Sequence, residues 1–154
     1  MPRFSFNLNN SIVHMDFNKL LQSGIAPFVQ WELPVPTTAP ANTALSSLQV
    51  APSGSLMVVN PTNQQLSGII TSSDVPRAYL NNNLPETAVD LATRRVVAIK
   101  DNAQLWQLLK IMNGENDLHR PLDVIPVVDA DNRPIGIIKR EKVKETLQKM
   151  ENED

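Results

Sequence analysis

The sequence predicts an α+β fold made of two successive copies of a β-α-β-β-α unit. Two stretches, "GIITSSDV" (68–75) and "GIIKREKV" (136–143), share an apolar strand that runs into a helical pattern. Each follows a second apolar run, "MVVN" or "PVVD", and a short helical pattern, "NTALSSL" or "NAQLWQL". Elements repeated in the same order indicate an internal duplication, and one copy alone leaves apolar surface that a second would cover. We expect two small sheets with helices on one face, packed as a pseudo-twofold pair.

The first copy is expected after a lead-in, residues 1–33, that contains a short helix from Phe17 to Leu21. Three prolines in "ELPVPTTAP" exclude a helix there and restrict any strand to a sheet edge. A helix over "NTALSSL", a buried strand over "SLMVV" and a second strand over "LSGII" follow. We place this copy at residues 34–83.

The second copy is expected at residues 88–150, with a tail at 151–154. It begins with a strand over "RRVVAIK" and a helix over "NAQLWQLLKIM". Two strands, "DVIPVVD" and "PIGII", and the helix "KREKVKETLQKM" complete it. Leu45 and Leu105 are 60 residues apart and Gly68 and Gly136 are 68 apart. We attribute this difference to a longer helix and an inserted loop, "NGENDLHRPL", in the second copy.

Composition limits the classes of function. The chain has 154 residues, 42% of them hydrophobic, but no apolar run near the ~18 residues that cross a bilayer. It starts without the apolar segment of a signal peptide, so we expect a cytoplasmic protein with no direct membrane insertion. A net charge of -2 and the lack of a basic stripe argue against nucleic acid as a partner.

The sequence contains few residues that could form a catalytic or metal-binding site. There is no cysteine, and the two histidines, His14 and His119, have no ligand spacing around them. The nucleophile elbow, the phosphate-binding glycine loop and the paired-acid signature are all missing from the sequence. We therefore expect a binding module with no catalytic residue, no metal site and no catalytic cofactor.

The two copies together resemble a known family. "MVVNPTNQQLSGIITSSDV" and "IPVVDADNRPIGIIKREKV" resemble the cystathionine β-synthase (CBS) domain, which occurs in tandem pairs known as Bateman modules. The resemblance covers residues 34–150. It implies a regulatory module that binds an adenosine-type ligand between paired sheets and forms a homodimer of two pairs. It also implies that the module regulates a larger protein, such as an enzyme, a channel or a transporter.

Thr71 and Asp74 stand where the first copy passes from strand to helix, and two interpretations of them are open. In the first, they only cap the helix, which stabilises it by about 0.5–2 kcal/mol. In the second, Asp74 binds a ribose, because a carboxylate accepts hydrogen bonds from both hydroxyls of a vicinal diol. The family resemblance implies the second role, with Thr71 and Asp74 at the positions that hold ribose.

The remaining parts of the expected nucleotide site are less specific. The resemblance implies an apolar adenine slot along Pro36, Thr37 and Ile70. A phosphate is expected near a cation, because Asp74 repels it. The candidate cations are Arg77, Arg94, Arg95, Lys139 and Arg140.

The second copy departs from this pattern, since Lys139 and Lys142 replace Thr71 and Asp74. We expect one nucleotide site per chain, for AMP, ADP or ATP. Two alternatives stay open: a dimerisation or interaction module whose ligand site has decayed, and a module that binds S-adenosylmethionine.

Overall fold

The computed structural model describes residues 3–8, 11–80 and 84–152, with side chains from Phe17 to Leu80 and from Leu84 to Met150. The elements are, in order, β1 Arg3–Leu8, β2 Ser11–Asp16, α1 Phe17–Gln22, a short 3-10 helix Ala26–Phe28, β3 Gln30–Trp31, β4 Val35–Pro36, α2 Ala41–Val50, β5 Ser55–Val59, β6 Leu66–Thr71, α3 Asp74–Leu80, α4 Ala88–Leu91, β7 Ile99–Lys100, α5 Leu105–Met112, β8 Val124–Val128, β9 Pro134–Lys139 and α6 Arg140–Asn152. The expected β-α-β-β-α order occurs twice, as β4-α2-β5-β6-α3 and as β7-α5-β8-β9-α6. The α+β class with small sheets is confirmed.

Three sheets are present among the described residues. The first has the order β4-β5-β6, with β4 parallel to β5 and β5 antiparallel to β6. The second has the order β3-β9-β8-β7. β1 and β2 form a separate antiparallel pair. The proline-rich strand β4 lies at a sheet edge, as expected for a strand that lacks a backbone donor at Pro36.

The lead-in contributes more structure than the sequence predicted. Its short helix is present as α1, but the β1–β2 hairpin was not predicted. β3, at the end of the lead-in, joins the second sheet by antiparallel pairing of Gln30 with Ile137 and Trp31 with Gly136. The lead-in therefore supplies an edge strand to the sheet of the second copy.

Three details of the two copies differ from expectation. The strand expected over 94–100 is limited to Ile99–Lys100, and the four-residue helix α4 was not predicted. The second-copy helix α5 has 8 residues and its first-copy counterpart α2 has 10. The second-copy helix is therefore not longer overall, and most of the added residues lie in the loop after α5, residues 113–123, which corresponds to 51–54 after α2.

The chain divides into two compact units. Unit 1 comprises Met1–Val29, Asn102–Ile125 and Ile138–Asp154, and unit 2 comprises Gln30–Asp101 and Pro126–Ile137. These units reflect the density of contacts rather than the repeat, so the proposed limits of the two copies stay predictions, as does their pseudo-twofold relation.

Unit 2 has an apolar core that holds the first-copy sheet against its helices. Small residues on one face of α2, three and four positions apart, let that helix approach β5 closely. Strands β5 and β6 present alternate side chains to the same core. The core residues are Ala41, Ala44, Leu48, Leu56, Val58, Ile70, Ala88 and Leu91.

In unit 1, α1 lies beside α5. The backbone N–H of Leu105, the first residue of α5, donates to the carbonyl of Ser23 at 2.8 Å, and Gly24 pairs with Gln104. Leu105, Leu108 and Met112 are buried, as their spacing of three and four predicts. An open apolar groove of about 210 Å³ is lined by Phe17, Leu20, Leu21, Leu105, Leu109, Leu147 and Gln148. Within the described ranges, no helix combines the length and the apolar character that a bilayer crossing requires.

Candidate functional site

The junction between β6 and α3 buries one carboxylate. β6 ends at Thr71, the next two residues form a turn, and α3 begins at Asp74. Asp74 is only 7% exposed, although it is charged and lies in the first turn of a helix. A buried carboxylate needs hydrogen-bond donors around it, so its partners decide what else it can bind.

Thr71 supplies two donors to a single oxygen of Asp74. The Thr71 backbone N–H donates to Asp74 Oδ2 at 2.9 Å, and its hydroxyl donates to the same oxygen at 2.8 Å. The Thr71 hydroxyl also lies 3.0 Å from the Ser73 hydroxyl. Since Thr71 has one hydroxyl hydrogen, Ser73 is the donor in that pair. The acid therefore reaches back to accept an N–H before the helix, as in one half of a capping box, whereas the Thr71 hydroxyl donates to the acid.

The other oxygen of Asp74 faces a different part of the chain. The Thr93 hydroxyl donates to Asp74 Oδ1 at 2.8 Å, and Arg77 Nη1 lies 3.6 Å from the same oxygen. The Arg77 side chain is 68% exposed, so water screens this ion pair and it contributes little to stability. The Thr93 hydrogen bond is shorter and is part-buried. Oδ1 is thus held mainly by Thr93.

Thr93 is positioned by a short backbone bridge to β6. Its N–H donates to the Ile69 carbonyl at 2.9 Å, and its carbonyl accepts the Ile69 N–H at 3.1 Å. Gly68, the neighbour of Ile69, permits this approach. A Cβ at Gly68 would lie 2.8 Å from the Thr93 carbonyl oxygen and 3.1 Å from the Ala92 Cβ.

Two of the residues expected to form the adenine slot already have structural roles: one is buried, and the other forms backbone hydrogen bonds. Ile70 is 0% exposed and packs in the core of unit 2. The Thr37 N–H donates to the Val59 carbonyl at 2.8 Å, and the Thr37 carbonyl accepts the Val89 N–H at 3.3 Å. Pro36 is exposed on β4. Pro36 and the side chain of Thr37 are therefore better placed to meet a ligand than Ile70.

The cationic pair of the second copy lies in unit 1. β9 ends at Lys139 and α6 begins at Arg140, with no intervening turn. The Arg140 guanidinium donates to the Met112 carbonyl at 3.2 Å and to Asn113 Oδ1 at 3.4 Å, at the end of α5. A cation at a helix C-terminus is stabilising, so Arg140 has a structural role of its own. Lys139 is half-buried.

Sequence reasoning assigned Thr71 and Asp74 to one site, and the structure brings them into contact, but it missed Thr93. Asp74 and Thr93 are 19 residues apart, with a helix between them, so no local spacing links them. Arg94 and Arg95, the exposed cations that sequence reasoning singled out, directly follow Thr93. Among the described residues, no group of three or more histidine and acidic side chains is arranged to hold a metal ion.

Two comparisons place the chain among known proteins, whereas a search of curated protein sequences finds no match. Residues 88–149 match the model of the CBS domain family. The fold is similar to that of CBSX2, solved in complex with AMP, at 21% identity, with 81% of this chain and 96% of that chain covered and a TM-score of 0.63.

Two further solved structures share the fold. CbpB, in complex with c-di-AMP, is 17% identical, with coverage of 87% and 90% and a TM-score of 0.68. The CBS domain of a bacterial CNNM/CorC family Mg²⁺ transporter, in complex with ATP, is 16% identical, with coverage of 85% and 91% and a TM-score of 0.65. At these identities the similarity shows the fold. Residues 88–149 therefore belong to the CBS domain family, and the chain has the fold of a tandem CBS-domain pair.

Proposed function

We propose that this chain is a non-catalytic regulatory module that senses an adenosine nucleotide, with one site per chain and the ribose bound by Thr71 and Asp74. The observation that carries the proposal is the buried Asp74 carboxylate, with one oxygen fixed by Thr71 and the other held mainly by a single hydroxyl. A carboxylate oriented in this way suits a diol donor. AMP, c-di-AMP and ATP in three proteins of the same fold support this ligand class.

The other parts of the nucleotide follow from the surroundings of Asp74. Adenine lies along β4, against Pro36 and the side chain of Thr37, with Ile70 supporting the strand behind it. Phosphates lie away from the Asp74 charge and near exposed cations, with Arg77, Arg94 and Arg95 as candidates in unit 2. Lys139 and Arg140 are the candidates from the second copy, and Lys139 is the less committed of the two, because Arg140 already binds the end of α5.

In this proposal the protein is a cytoplasmic homodimer that passes the occupancy of its site to a larger regulated protein. A second function is favoured by one observation: the Asp74 oxygens already have donors within the chain. That arrangement suits an interaction or dimerisation module that binds no nucleotide. S-adenosylmethionine is a further candidate ligand, since it carries a ribose and needs no phosphate-binding cation.

A thermal-shift panel separates these functions. The panel contains AMP, ADP, ATP, c-di-AMP and S-adenosylmethionine. A ligand at a hundred times its dissociation constant stabilises the folded protein by about 2.7 kcal/mol. Stabilisation by a nucleotide supports the proposal, stabilisation by S-adenosylmethionine alone supports that ligand, and no shift with any compound supports the interaction module.

Asp74→Asn tests the ribose assignment. Asparagine keeps the size of the side chain but removes the charge and one acceptor, so we expect nucleotide affinity to fall at least about tenfold, as for a lost hydrogen bond to a charged group. Asp131→Asn is the matched control, because it removes the same charge from an exposed turn. Unchanged binding in Asp74→Asn would refute the ribose role. Lys139→Ala in the same assay should weaken ATP more than AMP if Lys139 meets the outer phosphates.

A further inference from the structure

We infer that the Thr93 hydroxyl competes with the ligand for Asp74 and so sets the nucleotide affinity of this site. The inference rests on the proposed function and adds to it a residue outside the Thr71–Asp74 motif. The Thr93 hydroxyl donates to Oδ1 at the distance of a good charge-assisted hydrogen bond, 2.8 Å. A ribose whose two hydroxyls both donate to Oδ1 takes the place of this bond.

The two oxygens of Asp74 have separate roles. Oδ2 already accepts two hydrogen bonds from Thr71, the residue that lies three positions before it. A carboxylate oxygen accepts about two hydrogen bonds, so Oδ2 has little capacity left for a ligand. Oδ1 accepts the Thr93 hydroxyl and has Arg77 at 3.6 Å. Oδ1 therefore has capacity for one further donor, so a ribose that donates both of its hydroxyls to Oδ1 has to displace Thr93.

Removing the Thr93 hydroxyl leaves Asp74 correctly oriented, because both Thr71 bonds remain. It also leaves Oδ1 buried without its strongest donor. The ligand-free protein then becomes less stable, while a bound ribose restores the missing donor. Both changes favour the ligand-bound state over the free state.

Backbone hydrogen bonds position Thr93 beside Asp74. The bridge to Ile69 fixes its N–H and its carbonyl, and the lack of a side chain at Gly68 allows the approach. The backbone bridge therefore fixes the Thr93 backbone near Asp74, within reach of Oδ1 for the hydroxyl.

The test compares Thr93→Val with Thr93→Ser. Valine has the shape of threonine without the hydroxyl, whereas serine keeps the hydroxyl. Affinities for AMP, ATP and their 2′-deoxy counterparts are measured by titration calorimetry on both variants and on the wild type. We expect Thr93→Val to bind the ribonucleotides on the order of tenfold more tightly than the wild type, consistent with the strength of a hydrogen bond to a charged group. We expect a smaller gain for the deoxynucleotides and near wild-type values for Thr93→Ser.

A purely structural role for Thr93 predicts a different result, namely equal weakening of ribo- and deoxynucleotides in Thr93→Val. Thr93→Ala, which removes the hydroxyl and also opens space, is the second variant if valine perturbs folding. Wild-type binding with no gain in either variant removes this inference and leaves the proposed function standing. No binding by the wild type or by any variant removes both, whereas binding gained only when the hydroxyl is lost supports both.

Discussion

At Gly68, the lack of a side chain lets the segment after α4 lie directly against β6. The atoms that a Cβ would meet are a backbone carbonyl oxygen, at Thr93, and the Cβ of Ala92. Neither is the end of a flexible side chain that could move aside. The glycine shared by the two "GII" stretches therefore has a physical reason in the first copy, which is the close approach of the segment that carries Thr93.

Gly68→Ala should destabilise the protein by about 1–3 kcal/mol, the usual cost of overpacking. The added methyl group pushes Thr93 away from Ile69 and so weakens its hydrogen bond to Asp74. Chemical denaturation of the variant and the wild type measures the difference. Gly24→Ala is the control, because a Cβ there meets nothing within 4 Å and its effect should stay within about 0.5 kcal/mol. Equal effects of the two substitutions would contradict this explanation.

The site itself was predictable only where its residues are close in sequence. Thr71 and Asp74 are three positions apart at a strand end, and sequence reasoning assigned both to one site. Thr93 reaches Asp74 through the tertiary structure, by way of a backbone bridge that depends on Gly68. The burial of Ile70 and the contact of Arg140 with the end of α5 also depend on packing that local patterns do not encode.

At the level of secondary structure, α4 shows how a very short helix is stabilised. It has only four residues, too few for intrinsic propensity to maintain it. Asp90 Oδ2 accepts the backbone N–H groups of Glu86 and Thr87, each at 3.1 Å, and the Thr87 hydroxyl at 3.3 Å. These bonds fix the start of the helix whose far end leads to Thr93.

The hydrogen bonds from Thr87 and then Glu86 lower the pKa of Asp90 below its ordinary value of 3.8. The ionised form is therefore favoured in the folded state, and its contribution to stability is present above pH 3.8 and is lost as the pH falls through the lower folded pKa. We expect Asp90→Asn to be less stable than the wild type near neutral pH, by about 0.3–1 kcal/mol. The difference should shrink below pH 3.8. Thermal unfolding from pH 7 to pH 3 measures it, and a difference that is constant over this range would contradict the assignment.

The order of the main elements was predictable because each β-α-β-β-α copy has clear local patterns. The β1–β2 hairpin had a signal that was overlooked: "RFSFNL" and "SIVHMD" are strand-length runs separated by two asparagines. α4 is too short to produce a helical period, and β7 is shorter than its apolar run. The role of β3 could not be predicted, because its partner strand lies more than a hundred residues further along the chain.

For the whole molecule, the important feature is the difference between the two copies. Both have the same order of strands and helices, yet only the first has a buried carboxylate at the strand–helix junction, because Glu141 in the second is exposed. The second has Lys139, with Arg140 committed to the end of α5. The two copies thus share their secondary structure but differ in the charge at the strand–helix junction.

This difference predicts one nucleotide per chain. Isothermal titration of the best ligand from the panel should give a stoichiometry of one, and Asp74→Asn should abolish or strongly weaken that single event. Lys142→Ala, at the position equivalent to Asp74, should leave the stoichiometry at one. Two binding events per chain would show that the lysine-containing junction also holds a ligand.

The pairing of β3 with β9 has a consequence for the synthesis of the protein. Gln30 and Trp31 leave the ribosome more than a hundred residues ahead of their partners, Ile137 and Gly136. The second sheet cannot be completed before β9 is made, and until then Trp31, 72% exposed even in the folded chain, has no partner strand. A nascent chain in this state presents an unpaired strand while the intervening residues are made, which is a situation in which chaperones act.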